Sequence, residues 1–133
     1  MPILDTQVIF AAADDKDRFH ESAKFHLSKM STKTVLGTFA LVEFDIVLRS
    51  SGYSARQRSQ EWLLLVEDFP RVATTVHRVS PSTFVLASNI ERSLGLDYFD
   101  SLIAAESIEH DGAVVSSDRE FDRVPGLMRM PLT

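Results

Sequence analysis

A chain of 133 residues with a net charge of −5, 44% hydrophobic and 25% charged residues has the size and composition of one soluble globular domain, covering residues 1–133. It contains no cysteine, which excludes disulfides, zinc–thiolate sites and thiol nucleophiles, and its acidic balance argues against tight, nonspecific coating of nucleic acid. No apolar run approaches the roughly 18 residues of a membrane span, and no basic segment opens the chain, so we expect a cytoplasmic protein without a secretory signal.

The first half of the chain alternates short apolar strands with helices. A strand over Met1–Leu4 ends at Asp5 and Thr6, either of which can cap the next segment, Gln7–Ala13. A charged helix is predicted over Asp14–Lys33, where apolar residues recur at near-helical spacing. The remaining predictions are a strand over Thr34–Gly37, a helix over Phe39–Ser51 ended by Gly52, and a helix that begins with a capping box at Ser54 and runs to about Asp68.

The second half continues the alternation. A β-rich segment, Val72–Val79, precedes Ser80 and Pro81, which are typical of a helix start, and this helix is expected to end at Leu94 before Gly95. The elements that follow are a helix over Tyr98–His110, a strand over Ala113–Ser116, a turn over Asp118–Asp122 and a last strand over Leu127–Met130. This order predicts an α/β sandwich with a largely parallel sheet.

Glu43 is an acidic residue among core-facing neighbours. At about 100° per residue, it lies within roughly 60° of four apolar side chains on its helix, namely Phe39, Ala40, Ile46 and Val47. Asp45 and Arg49 fall on the opposite face, where they are predicted to form an i,i+4 pair. A buried carboxylate is costly, so Glu43 requires a cation, a hydrogen-bond donor or its own proton.

Three further acids occupy comparable positions. Asp100 is flanked on its helix by Ile103, Ala104 and Ser107, whereas Asp5 and Asp118 follow short apolar strands. In open α/β sheets, ligand sites form at the carboxyl ends of strands. Four carboxylates in one cleft repel each other unless they are neutralised, and such hard oxygen ligands suit Mg²⁺ or Mn²⁺, which activate water for phosphodiester hydrolysis.

Each acid except Glu43 also has a structural explanation. Asp5 and Asp118 can serve as turn or cap residues, Asp97 is predicted to be an N-cap with Asp100 at N3, and Asp122 can be a solvated charge beside Arg119 and Arg123. The four histidines lack metal-ligand spacing and a nucleophile partner: His20, His26, His77 and His110. Trp62 lies in an apolar helix segment and is expected in the core or in an oligomer interface.

Five short segments, in this order and spacing, resemble the PIN-domain family, in particular the VapC-like toxin ribonucleases of prokaryotic toxin–antitoxin pairs. They are I-L-D-T with Asp5, A-L-V-E with Glu43, D-S-L-I-A-A with Asp100, S-S-D-R-E-F with Asp118, and the closing V-P-G-L. The resemblance covers essentially the whole chain, and its most specific part is L-D-Y-F-D-S-L-I-A-A followed by S-S-D-R-E-F. It implies a three-layer α/β/α sandwich with a central, mainly parallel sheet, and RNA cleavage by metal-activated water.

The resemblance also implies roles for individual residues. Asp5, Glu43, Asp100 and Asp118 would be the catalytic ligands of Mg²⁺ or Mn²⁺, with Asp122 as an outer ligand and Asp97 as a weaker candidate. Thr6 and Ser116 would be hydroxyl donors behind these ligands, and Arg119 and Arg123 are the best candidates for contacts with RNA phosphates. Gln7 stands where a shorter Ser or Asn is expected, and Tyr98-Phe99 is bulkier than usual before the third acid. The implied partners are RNA, a small antitoxin protein and a second copy in a homodimer, without a membrane.

Two other classes remain open. A binding module could keep the fold and act through a protein partner with negligible cleavage. A phosphotransfer protein with an acidic site is the other alternative, but Asp5-Thr6-Gln7 lacks the second Asp of a haloacid-dehalogenase phosphatase, and Thr34–Gly37 is followed by Thr38 rather than by the phosphorylatable Asp of a receiver domain.

Overall fold

A computed structural model describes residues 1–30, 34–74 and 79–133 of the chain. Its centre is a parallel sheet with strand order β2-β1-β3-β4, formed by β1 (Ile3–Leu4), β2 (Val35–Leu36), β3 (Ala113–Val115) and β4 (Met128–Met130). Ile3 pairs with Val35 on one side and Val114 on the other, and Val114 pairs in turn with Arg129. Every pairing among these strands is parallel, so the carboxyl ends of β1 and β3 share one edge of the sheet.

Helices cover both faces of the sheet. They are α1 (Thr6–Ala13), α2 (His20–Ser28), α3 (Thr38–Ser50), α4 (Ala55–Asp68), α5 (Pro81–Leu94) and α6 (Tyr98–His110), with 3₁₀ helices at Pro70–Thr74 and Arg119–Arg123. One hydrophobic cluster joins Leu4 and Val115 to α1 to α4, and a second joins Val114 to α5 and α6. Because adjacent strand residues point to opposite faces, these two clusters make the predicted three-layer α/β/α sandwich. None of the helices in the described ranges has the length and apolar content to span a bilayer.

Two predicted elements differ from the structure. The segment Asp14–Lys33 was predicted as one helix, but its helix begins at His20 and ends at Ser28. The segment before it forms turns, because the side chains of Asp14 and Asp17 accept hydrogen bonds from the backbone N–H groups two residues ahead, at 3.0 and 2.8 Å. The strand expected over Val72–Val79 is wrong at its start, where the chain forms a 3₁₀ helix; residues 31–33 and 75–78 lie outside the described residues.

The buried face of α3 also differs from the prediction. Ile46 and Val47 are 44% and 38% exposed, and the helix instead buries Phe39, Ala40, Phe44 and Leu48. Phe44 lies between Phe10 and Trp62, with ring centroids 4.9 and 5.1 Å away, and this contact rotates the helix. Glu43 is therefore half-buried at the edge of the core-facing stripe.

Asp45 contacts α4 rather than its own helix. The predicted pair with Arg49 is wrong, because Asp45 accepts a hydrogen bond from Trp62 Nε1 at 2.9 Å and lies 3.4 Å from Arg58 Nε. Trp62 itself packs against the core, as predicted. These contacts join α4 to the outer side of α3.

Glu106, in α6, caps the beginning of α3. It is fully buried, and its carboxylate accepts hydrogen bonds from the backbone N–H of Thr38 at 2.8 Å and of Phe39 at 3.4 Å. The first N–H groups of a helix have no partner within it, so a carboxylate there satisfies them and interacts well with the helix dipole. A Cβ on Gly37 would lie 2.4 Å from Glu106 Oε1, so glycine leaves the space for this contact. Glu106 thus ties α6 to α3.

Candidate metal centre

The acids predicted at strand ends meet at the carboxyl edge of the sheet. Asp5 follows β1 directly, and its N–H continues the ladder by donating to the carbonyl of Val115 at 3.1 Å. Asp118 lies three residues beyond Val115, the last residue of the neighbouring strand β3. The parallel pairing of these two strands, and not their sequence distance, brings the two acids to one edge.

Ser116 connects Asp5 to Asp118. Its hydroxyl donates to Asp5 Oδ2 at 2.8 Å and accepts from the backbone N–H of Asp118 at 2.9 Å. Asp5 is only 7% exposed. Burial raises the pKa of Asp5 to about 6, against the opposing effect of the Ser116 hydrogen bond, and the nearby charges of Glu43 and Asp118 raise it further.

Glu43 reaches the same edge from α3. Thr6, the first residue of α1, donates its hydroxyl hydrogen to Glu43 Oε1 at 2.5 Å. Burial raises the pKa of Glu43, the Thr6 hydrogen bond lowers it, and the charge of Asp97 raises it again. Thr6 and Ser116 thus each donate a hydroxyl hydrogen to one of the acids at this edge, Glu43 and Asp5.

Asp100 lies in the first turn of α6, where Asp97 is the N-cap. Asp97 accepts the backbone N–H of Asp100 at 2.8 Å, which confirms the predicted cap. Burial raises the pKa of Asp100 to about 8, followed in effect by the charges of Asp97, Asp5 and Asp118. Asp97 therefore adds its negative charge to the field at Asp100 and Glu43 as well as capping the helix.

The donor set fits a hard divalent cation, although it is not a finished coordination shell. Within the described ranges, no three Asp, Glu or His side chains are already arranged to hold an ion. Burial is the main cause of the raised pKa values of Asp5 and Asp100, and repulsion from the neighbouring carboxylates raises them further. Carboxylate oxygens are the ligands that Mg²⁺ and Mn²⁺ prefer, and a cation would offset this repulsion.

The remaining sequence candidates lie outside this group. Asp122 is exposed and bonded to Arg129, whose hydrogen bond lowers the pKa of Asp122. Arg123 donates to Glu120 Oε2 at 2.5 Å and to the carbonyl of Leu94. Arg119 is exposed, and its charge also lowers the pKa of Asp122.

The three histidines within the described residues lie apart from the acids. The Nδ1 of His20 lies 2.8 Å from the carbonyl of Ala11, and the ring of His26 stacks edge-on with Phe25. His110 is the last residue of α6, at the end opposite Asp100. His77 lies outside the described residues.

Two supporting residues were not predicted from the sequence. Gln7 accepts the backbone N–H of Ser117 at 3.0 Å and donates to the Ser117 hydroxyl, so the longer side chain supports the segment before Asp118. Arg129 of β4 donates to the carbonyl of Ser116 at 3.1 Å. Gln7 departs from the expected Ser or Asn, which is a signal in the sequence, whereas nothing in the Met-Arg-Met sequence indicates the contact of Arg129.

Comparisons with known proteins agree with the fold. The sequence matches the PIN domain family over residues 3–127. No significant match is found among curated proteins. A solved structure of similar fold is that of VapBC2 from Rickettsia felis bound to a DNA fragment from their promoter, with a TM-score of 0.67 and 17% sequence identity, over 97% of this chain and 96% of that chain.

Proposed function

Because this chain belongs to the PIN domain family, whose members are generally nucleases, we propose that it is a Mg²⁺- or Mn²⁺-dependent endoribonuclease and the toxin of a toxin–antitoxin pair. The proposed ligands are Asp5, Glu43, Asp100 and Asp118. Residues 1–133 would form a single nuclease domain that acts in the cytoplasm.

The observation that carries this proposal is that buried and half-buried acids lie beside one another at the carboxyl edge of the parallel sheet. Burial and neighbouring carboxylates raise the pKa of Asp5 to about 6 and that of Asp100 to about 8. Structures avoid unneutralised clusters of buried charge, because the desolvation of each carboxylate adds to the repulsion between them. A cation bound at this cluster, at the carboxyl edge of the parallel sheet of a PIN domain, would neutralise the carboxylates.

In the proposed mechanism the chain positions the reacting groups. A bound divalent ion supplies activated water and stabilises the leaving oxygen. Ser116 holds Asp5 and Thr6 holds Glu43, so each of these carboxylates has one oxygen fixed by a hydroxyl donor. Arg119 and Arg123 would contact RNA phosphates; Arg123 first has to release Glu120.

The same charge pattern supports an antitoxin partner. A small protein that places a cationic side chain near Asp5 and Asp100 would neutralise the cluster as a metal does, and would occlude the cleft. The match in fold to a chain from the VapBC2 structure supports this assignment. A homodimer is a further expectation of the resemblance.

The proposal is tested by cleavage of RNA with purified protein. Mn²⁺ should support cleavage, EDTA should abolish it, and Asp100→Asn should remove it while circular dichroism shows an unchanged fold. Asp15→Asn, an exposed acid in the turn before α2, is the matched control and should retain full activity. Full activity of Asp100→Asn, or activity in EDTA, would contradict the proposal, and a wild-type protein that binds no Mn²⁺ in isothermal titration would favour a binding module instead.

A further inference from the structure

Arg129 makes three hydrogen bonds at the side of the candidate metal centre. From the edge strand β4, Nε donates to Asp122 Oδ1 at 2.9 Å, Nη2 donates to Asp122 Oδ2 at 3.2 Å, and Nη1 donates to the carbonyl of Ser116 at 3.1 Å. Its side chain is 15% exposed, although it lies between Met128 and Met130, which are 66% and 40% exposed. The arginine is therefore the inward-lying side chain of this strand.

The two partners of Arg129 stand on either side of Asp118 in the chain. Ser116 precedes it by two residues and Asp122 follows it by four, at the end of a 3₁₀ helix that starts at Arg119. Ser116 also gives its backbone N–H to the carbonyl of Met130 at 3.0 Å, and its hydroxyl bonds both Asp5 and Asp118. Arg129 thus fixes both ends of the segment that carries Asp118, and one of those ends also holds Asp5.

The pairing with Asp122 is the two-pronged arrangement that a guanidinium favours. A planar fork matches a carboxylate with two parallel N–H···O bonds, which fixes orientation as well as distance, and lysine cannot reproduce it. Both oxygens of Asp122 are engaged in this way. To bind a metal, Asp122 would have to share these oxygens with it and bring a cation beside the guanidinium.

We propose that Arg129 is a positioning residue that holds Asp118 at the metal centre through Ser116 and Asp122, and that Asp122 is its partner and not a metal ligand. The inference rests on the proposed function, since it presupposes a cation near Asp118. It replaces the role of outer ligand that the family resemblance implied for Asp122, and it assigns a role to a residue that no motif in the sequence singled out.

The experiment is isothermal titration of Mn²⁺ into wild type, Arg129→Gln, Asp122→Asn and the double variant. Both single variants should weaken Mn²⁺ binding to a similar extent, roughly tenfold, as is common when a group behind a metal ligand is removed. The double variant should be no worse than either, because the two residues act as one unit. Arg129→Lys keeps the charge without the fork and should resemble Arg129→Gln.

A second readout separates positioning from RNA binding. In the cleavage assay with saturating Mn²⁺, Arg129→Gln should lower kcat and leave KM for RNA unchanged. Melting curves in EDTA check that the variants fold, and Asp122→Asn, at an exposed position, tests the pair should Arg129→Gln fail to fold.

Each alternative gives a distinct result. If Asp122 were a ligand, Arg129→Gln would release it and Mn²⁺ would bind as tightly or more tightly, while Asp122→Asn alone would bind more weakly; this overturns the proposal. If Arg129 contacted RNA, KM would rise with unchanged Mn²⁺ affinity, which also overturns it. If the wild-type protein binds no Mn²⁺, both the proposed function and this inference are contradicted. If the wild type binds Mn²⁺ and the variants bind it with the same affinity, the inference alone is contradicted.

Discussion

Replacement of Glu106 by alanine should lower the free energy of unfolding more than replacement of an exposed glutamate by alanine. Glu106 is fully buried and accepts the backbone N–H groups of Thr38 and Phe39 at the start of α3. Alanine would leave these donors without the carboxylate and would open a cavity between α3 and α6. Asp100 and Glu43 lie on those two helices, so the change also reaches the candidate metal centre.

The magnitude follows from the two hydrogen bonds. A hydrogen bond to a charged group contributes about 1.5–3 kcal/mol, and loss of a helix cap about 1 kcal/mol. The 3.4 Å bond to Phe39 is long and belongs at the low end of that range. We therefore expect Glu106→Ala to lower the free energy of unfolding by about 3 kcal/mol. With about 2.1 cal/mol/K of unfolding entropy per residue, this corresponds to a fall in Tm of about 10 °C.

The assay is urea denaturation at pH 7 in EDTA, together with thermal melting. Glu67→Ala is the matched control, because Glu67 is an exposed glutamate in α4, and it should change the free energy of unfolding by less than about 0.5 kcal/mol. Glu106→Gln should lie between the two, since its amide retains one carbonyl acceptor but points an NH₂ group at the second donor. Gly37→Ala should destabilise too, because its Cβ would press on Glu106 Oε1. If Glu106→Ala were as stable as the Glu67→Ala control, the capping role would be refuted.

Four further predictions concern the acids and the side chains that support them. Asp5 has a pKa raised to about 6 and Asp100 a pKa raised to about 8, so above the ordinary value of 3.8 the folded protein binds more protons than the unfolded chain. The contribution of these two acids to stability without metal therefore falls as pH rises from about 4 to 8. In urea denaturation with EDTA, the free energy of unfolding should fall less steeply with pH for Asp100→Asn than for wild type. A steeper fall in the variant would refute this. The same titration should make Mn²⁺ bind more tightly from pH 6 to 8, with protons released, as isothermal titration in two buffers of different ionisation enthalpy can measure; binding that weakened over this range would contradict it. Thr6→Val removes the donor to Glu43 and should weaken Mn²⁺ binding roughly tenfold, whereas Thr6→Ser should retain it, and equal affinities of the two variants would count against the contact. Gln7→Ala should lower kcat several-fold with little change in melting temperature, and wild-type kinetics would show that its bond to Ser117 is dispensable.

Local signals in the sequence predicted much of the frame. The capping box at Ser54, the N-cap at Asp97 and the left-handed Gly95 at the end of α5 are all present in the structure. These features depend on neighbours within about four residues, so the sequence contains all the information they need. The acids at the ends of β1 and β3 were predicted to converge for a related reason, since strand ends share an edge whenever the strands are parallel and adjacent.

Contacts between distant segments could not be derived in this way. Glu106 meets Thr38 across 68 residues, and its position on α6 gives no sign that it caps another helix. Ile46 and Val47 follow the apolar pattern yet are exposed, because Phe44 packs between Phe10 and Trp62 and sets the rotation of α3. Such outcomes depend on tertiary packing, which overrides helical periodicity.

The central claim is that four carboxylates, two from helices (Glu43 and Asp100) and two from strand ends (Asp5 and Asp118), hold a divalent metal. Its most direct test is diffraction from a crystal soaked in Mn²⁺, collected for anomalous signal. We predict peaks among the side chains of Asp5, Glu43, Asp100 and Asp118, with Asp122 still bonded to Arg129. A crystal without an anomalous peak at this edge of the sheet, with the four side chains pointing apart, would contradict the account.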